Sequence, residues 1–255
     1  MMQRSKTGIK GFDKLVEGGF PAGTTILYTG TPGTGKTIFA LEYLYNGATM
    51  FKEKGLFVTF EESKEEVLEQ GKQFGWNFAD LEKKGLLKII AIPAREISKN
   101  TSNDILEMCK KEKYKRLVVD SLSTLSVNAP IFSVAEHLSI SEVVNQSTVF
   151  SPPVVGDLMV KRFIYGFIDD LRQINGITTL LISENSIHSD FLSRDTVSEF
   201  LCDGVIVVTF ESLGGAYSRS LLVRKMRQTK NDEDIHPLEI NKDGVIIHDI
   251  DEKGK

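Results

Sequence analysis

"GTPGTGKT", residues 30–37, follows the β-rich run "TTILYT" (24–29) and opens a stretch of helical spacing from Thr37 to Lys54. The eight residues satisfy G-x-x-x-x-G-K-[ST] at every fixed position, and the strand before and the helix behind give the motif its required setting. Each residue type has a task. Gly33 and Gly35 let the backbone curl so that successive N–H groups point inward at phosphate oxygens. The helix start adds its positive dipole end. Lys36 brings a mobile ammonium to the β- and γ-phosphates, and the Thr37 hydroxyl coordinates Mg²⁺. Gly30, Thr31, Pro32, Gly33, Thr34, Gly35, Lys36, Thr37 and Ile38 are therefore expected to form a nucleotide-phosphate cradle.

Reading outward, short apolar runs alternate with helical stretches, the pattern of a largely parallel α/β sheet. Strands are predicted at 24–29, 55–60, 86–91, 116–120 and 177–183, and helices at 37–54, 64–74, 104–113 and 158–174. Gly55 and Gly176 stand where left-handed caps are wanted after two of these helices. Toward the C-terminus, "GVIVVTF" (204–210), "RSLLVRKM" (219–226) and "GVIIHDI" (244–250) come in quick succession, so antiparallel strands should extend the sheet. No repeat or linker divides the chain. Residues 1–255 read as one domain, with an insertion at about 128–158 and a short tail at 249–255. From Ser121 to Val160 there is no lysine or arginine. So long a connection is either a surface insertion, with a short helix around Glu136–Val144, or an apolar docking surface for a partner.

Two further features bear on chemistry. "RLVVDS" places Asp120 at the end of an apolar strand, where a carboxylate downstream of a phosphate loop helps to hold Mg²⁺. "FVTFEES" (57–63) ends a core strand in two adjacent glutamates, Glu61 and Glu62. Neighbours on an extended strand point to opposite faces, so the two can do different jobs unless the backbone turns between them. Ser63 and Glu66 form a capping box, so a helix should start at once, which puts the pair at the sheet rim where α/β folds place ligands. A carboxylate there can polarise an attacking water; an acidic, solvent-facing loop fits the same pattern.

The bulk composition is that of a soluble globular chain: 255 residues, 41% hydrophobic, 26% charged, net charge −4. It points neither to a polyanionic partner nor to an acidic tail. "MMQRSKTGIK" has no apolar stretch behind its basic residues, which predicts no secretory leader, and no apolar run is long enough to span a bilayer. Cys109 and Cys202 fit no metal spacing and read as reduced packing residues of a cytoplasmic protein. The four histidines are scattered.

Four segments together, "GIKGFDKLVEGGFPAGTTILYTGTPGTGKT", "FVTFEES", "FGWNFADLEKKGLLKI" and "VVDSLSTL", closely resemble a KaiC domain, within the RecA/RadA branch of P-loop ATPases. The resemblance runs from about Thr7 to Ile247, broken mainly at the insertion. It implies a RecA-like fold, ATP as substrate with ADP as product, and Mg²⁺. It makes Glu61 the catalytic base and gives Glu62 the task of orienting water or its neighbour. It further implies a hexameric ring with nucleotide between subunits. Lys225, Arg227 and Thr229 match the K-x-R-x-T segment that reaches the adjacent protomer's nucleotide, with Met226 beside them. An arginine delivered in trans would make hydrolysis depend on assembly. A charged edge strand that deters aggregation is the plainer reading of the same residues. Asn231 and Lys242 depart from the family's base- and ribose-contacting positions. Ser183 and Glu184, in "LLISENS" (180–186), would lie on the γ-phosphate side.

Three functions remain open on the sequence: a slow ring ATPase, a nucleotide-gated scaffold that recruits a partner through 128–158, and a DNA-binding recombination accessory. Nucleic acid is the least supported, because the region after Asp120 offers no cation until Lys161 and Arg162.

Overall fold

The computed structural model of the chain describes residues 3–128, 152–185, 191–213 and 216–250. Most of the 128–158 insertion, with the short helix expected near Glu136–Val144, and residues 251–255 of the 249–255 tail lie outside the described residues.

The core is built from strands that are apolar on both faces, as helices covering both sides of a parallel sheet require. β3 (Thr25–Gly30), β4 (Gly55–Thr59), β5 (Leu87–Ala91), β6 (Arg116–Asp120), β7 (Thr178–Glu184) and β8 (Gly204–Leu213) are parallel. β9 (Ala216–Met226), β10 (Ile235–Asn241) and β11 (Gly244–Ile247) add antiparallel ladders, giving the order β11-β10-β9-β8-β3-β7-β6-β4-β5. A separate hairpin-like pair, β1 (Arg4–Ser5) and β2 (Phe20–Pro21), lies upstream. The expected α/β sheet with its antiparallel C-terminal extension is thus present.

Alternation along each strand sorts side chains into two cores. Ile26, Tyr28, Phe57, Val118, Leu180 and Ile182 face one layer, packed on α1 (Lys36–Met50) through Phe39, Tyr43 and Leu44. Leu27, Leu56, Val58, Leu117, Val119 and Leu181 face the other, against α4 (Thr101–Glu112), α5 (Leu122–Asn128) and α6 (Pro152–Arg172). Between them in chain order come α2 (Lys64–Gln73) and α3 (Phe78–Lys83), and α7 (Ser198–Leu201) precedes β8.

Several boundaries and elements differ from the sequence expectation. α1 stops at Met50, because Lys52 turns left-handed (φ 57°), and Gly55 opens β4 instead of capping the helix. α6 begins at Pro152, six residues before the expected start, with a proline in its first turn where the missing N–H costs nothing. α5 continues directly from the Asp120 strand. β10 went unread because Pro237 sits within it; there the proline pairs with Ser220 and contributes its carbonyl to His248 N–H at 3.0 Å.

Candidate active site

β3 ends at Gly30, pressed against β8 so closely that a Cβ would lie 2.3 Å from the Val208 carbonyl oxygen. The loop then turns through Gly33 (φ 81°) and Gly35 (φ 91°), a left-handed region natural to glycine, before α1 begins at Lys36. Thr34 Oγ1 donates to the Thr31 carbonyl at 2.9 Å and pins the curl. Lys36 Nζ donates to the carbonyls of Gly30 (2.9 Å) and Thr31 (3.0 Å), folding its ammonium back across the cradle. Burial pushes that ammonium below its ordinary pKa, opposed by Asp120, Glu184 and Glu61.

The end of β6 brings Asp120 to the same point. Thr37 Oγ1 donates to Asp120 Oδ2 at 2.7 Å, so the two oxygens expected to share a metal already touch. Burial drives the Asp120 carboxyl up to about 7; Thr37 opposes the shift, while Glu61 and Glu62 add to it. A buried carboxylate crowded by two more is a place that a cation relieves. Among the described residues no three His, Cys, Asp or Glu side chains cluster as a metal cage. Mg²⁺ held between one carboxylate, one hydroxyl and phosphate oxygens needs none.

The tandem glutamates separate as soon as β4 ends. Thr59 Oγ1 accepts the amides of both Glu61 (3.3 Å) and Glu62 (3.2 Å), turning the chain between strand and α2. The expected capping box follows: Ser63 Oγ accepts from Glu66 N–H, and Glu66 Oε2 accepts from Ser63 N–H at 2.7 Å. Glu61 is exposed. Its Oε1 accepts the hydroxyls of Ser121 and Thr124, each at 2.7 Å, so the start of α5 fixes the carboxylate. Glu62 is half-buried; Oε1 accepts from Gln70 Nε2 of α2 at 2.5 Å, and Oε2 is buried without a partner. Burial raises its pKa, against the Gln70 bond. One glutamate is held open to the cleft and the other is held back in a drier place.

Phosphate loop, Asp120 and both glutamates line one cleft of about 520 Å³, together with Gln70, Ser121, Ile182, Glu184, Arg219 and Ile240. Of the expected strand-end pair, Glu184 lines the cleft and ion-pairs with Arg194 at 3.3 Å. Ser183 is fully buried with its hydroxyl 3.3 Å from that of Ser123, so it supports the cleft wall from behind.

Lys225, Met226, Arg227 and Thr229 are elsewhere. Met226 pairs with Gly204, at the Ile26 level of the sheet, whereas Gly30 pairs with Val208. That is four residues back, roughly 13 Å from the phosphate loop along the strands. Lys225 Nζ donates to the carbonyls of Glu199 (3.1 Å) and Phe200 (3.3 Å), and Arg227 Nη1 meets Asp203 Oδ1 at 3.2 Å. Met226 is buried in the core, leaving its main chain for any outside contact. Thr229 Oγ1 accepts from Arg4 Nη1 at 2.6 Å. The set cannot serve its own chain's cleft.

Sequence reading missed Gln70, Arg219, Thr124 and Ile240. Arg219 Nε donates to the Gly33 carbonyl at 3.1 Å and its guanidinium stacks over the Phe210 ring. Its register opposite Phe210 follows from the β8–β9 ladder and its bulge at Val205/Ile206, which no local pattern encodes. Asn231, at a departing position, locks a turn by donating to the Val223 carbonyl at 2.9 Å.

The family model described as "ATPase: KaiC" matches residues 5–138 and 154–252. The chain belongs to the KaiC ATPase family. A UPF0273 protein of Methanocaldococcus jannaschii is 31% identical, with 97% of each chain covered. The circadian clock oscillator protein KaiC of a Nostoc species is also 31% identical over 96% of this chain, which spans 44% of that protein. The crystal structure of a KaiC-like protein from Pyrococcus horikoshii superposes with a TM-score of 0.76 at 32% identity, covering 98% of this chain and all of that one. Membership of a KaiC-type ATPase family carries nucleotide binding with it and matches the observed RecA-type sheet. Among the described residues no helix is long and apolar enough to cross a membrane.

Proposed function

We infer that the chain is a Mg²⁺-dependent ATPase, cytoplasmic and regulatory in role, that turns over slowly at the subunit interfaces of a homo-oligomeric ring of about six copies, as the resemblance to KaiC domains implies. The observation that carries this reading is the convergence of the phosphate loop, the Thr37–Asp120 pair and an exposed, hydroxyl-anchored Glu61 on one cleft.

Within it the loop amides and Lys36 receive the phosphates, with Lys36 leaving the Gly30 and Thr31 carbonyls to do so. Thr37 and Asp120 would hold Mg²⁺, which when bound neutralises charge building on the β- and γ-phosphate oxygens. Glu61 Oε1 is occupied by two hydroxyls, and Oε2 is left to orient a water and take its proton. Glu62, held by Gln70 away from Glu61, would position its neighbour or a water. Arg219 stands at the loop from the same chain. Lys225 and Arg227, remote from their own cleft, would complete a neighbour's.

Steady-state phosphate release by Glu61→Gln tests the assignment. A fall of about 10²-fold or more is expected, as for loss of a positioned base. Unchanged release would remove Glu61 from catalysis. The scaffold alternative rests on the insertion, outside the described residues.

A further inference from the structure

A second cleft opens at the opposite end of the sheet, where the chain enters β3 and β7. It encloses about 540 Å³, much like the nucleotide cleft, and falls in the range of small-molecule sites. Arg4, Lys52, Lys115 and Arg172 line it, and Glu53 is the one carboxylate in its lining among the described residues. That carboxylate is already claimed. The fully buried Arg116 donates to Glu53 Oε2 through Nε at 2.7 Å and Nη2 at 2.6 Å. Arg4 and Arg172 have carboxylate partners outside the lining, Glu17 and Asp203, so the positive balance of the cleft comes from Lys52 and Lys115, in a chain whose net charge is −4.

The cations are placed in two ways. Arg4 and Arg172 are fixed: Arg4 Nη2 pairs with Glu17 at 2.9 Å, and Arg172 donates to the Leu201 carbonyl and approaches Asp203 Oδ1 at 3.4 Å. Lys52 is lightly held, on the Thr49 carbonyl at 2.9 Å. The Lys115 ammonium has no hydrogen bond or ion pair with any described residue. It lies over Gly176, where a Cβ would come within 3.1 Å of Nζ. Two preset guanidinium forks with two mobile ammoniums suit tetrahedral oxyanions, which take bidentate arginine and point-charge lysine together. Among the described residues no aromatic side chain lines the cleft, as stacking on nucleic-acid bases would want.

We propose that this cleft, lined by Arg4, Lys52, Lys115 and Arg172, binds a small polyanion bearing two or more phosphate groups, at a site separate from the nucleotide. Its rim touches the remote edge: Asp203 Oδ1 is shared by Arg172 and Arg227, and Arg4 holds Thr229. If that edge acts on a neighbour as read above, occupancy would tune turnover; binding itself does not rest on that reading.

The test is calorimetric titration of tripolyphosphate at about 0.15 M salt, where diffuse surface attraction is screened. It compares the full chain with Lys36→Ala and with Lys52→Glu/Lys115→Glu, whose changes fall on the phosphate loop and on exposed lysines respectively. The expected result is a component that survives Lys36→Ala within about threefold and weakens at least about tenfold in the double variant, as loss of 1.4 kcal/mol implies. Binding lost in Lys36→Ala and kept in the double variant would overturn the proposal, since only the phosphate loop would then bind. No binding in Lys36→Ala and the double variant alike would overturn it too.

Discussion

At the residue scale, the cleft is governed by what burial does to carboxylates. Asp120 and Glu62 both move up from their ordinary range through loss of solvent. A third case, Glu42 of α1, lies against the start of β11. It accepts Val245 N–H at 2.7 Å, and burial pushes it up to about 7. A carboxyl raised in the folded state supports folding fully below its unfolded pKa of 4.5, and loses that support as pH climbs through about 7. Glu42→Gln keeps an acceptor for Val245 and cannot ionise. In urea unfolding, its stability relative to the parent should rise by on the order of 2–3 kcal/mol between pH 5 and pH 8. A difference that stays constant with pH would show that Glu42 does not titrate in the fold.

At the element scale, one buried cation ties several segments together. Arg116, the first residue of β6, donates to the Tyr43 carbonyl of α1 (2.6 Å), the Lys6 carbonyl (2.7 Å) and the Glu53 carboxylate, and lies 4.4 Å from the Tyr43 ring centroid. α1 leaves room for it through Gly47, where a Cβ would sit 2.5 Å from Nε. Arg116→Ala strands two carbonyls and a half-buried carboxylate and opens a cavity. Losses of about 3–5 kcal/mol are usual when one partner of a buried pair is removed. Chemical denaturation should show that loss, and a change below about 1 kcal/mol would mean that the pair adds little beyond its own desolvation. Elements with strong periodicity were legible in the sequence: five parallel strands, α1, α2 and α4 appear at or within a few residues of expectation. β10 was hidden by Pro237, and α5 by a short Ser/Thr-rich stretch with no cap signal. Of the cleft, the phosphate loop, Asp120 and the glutamate corner were legible because strand-to-helix turns carry their chemistry locally. Gln70, Arg219 and the anchors Ser121 and Thr124 were not, because helix rotation and ladder register place them. Ser183 was expected at the γ-phosphate side and packs behind the wall instead, because alternation along β7 gives the cleft to Ile182 and Glu184.

At the scale of the whole molecule, the sheet holds two groups of residues apart: the phosphate-loop cleft at one end, and Lys225 and Arg227 toward the other. The sheet is a rigid spacer and Arg227 lies one residue beyond Met226, itself roughly 13 Å back, so on the reading proposed above Arg227 would meet a nucleotide only across an interface. Mixing Glu61→Gln chains with Arg227→Ala chains, each inactive alone, should therefore restore phosphate release. In a mixed ring some clefts keep their own Glu61 and receive a neighbour's intact Arg227. Absence of restoration, with both variants assembling, would place Arg227 outside the neighbour's reaction. The most direct measurement of the central claim is equilibrium binding of ATP to the purified chain with and without Mg²⁺. The account predicts saturable binding at one site per chain, strengthened by Mg²⁺ and weakened at least about tenfold by Lys36→Ala. No binding with Mg²⁺ present, or binding indifferent to Lys36, would contradict it.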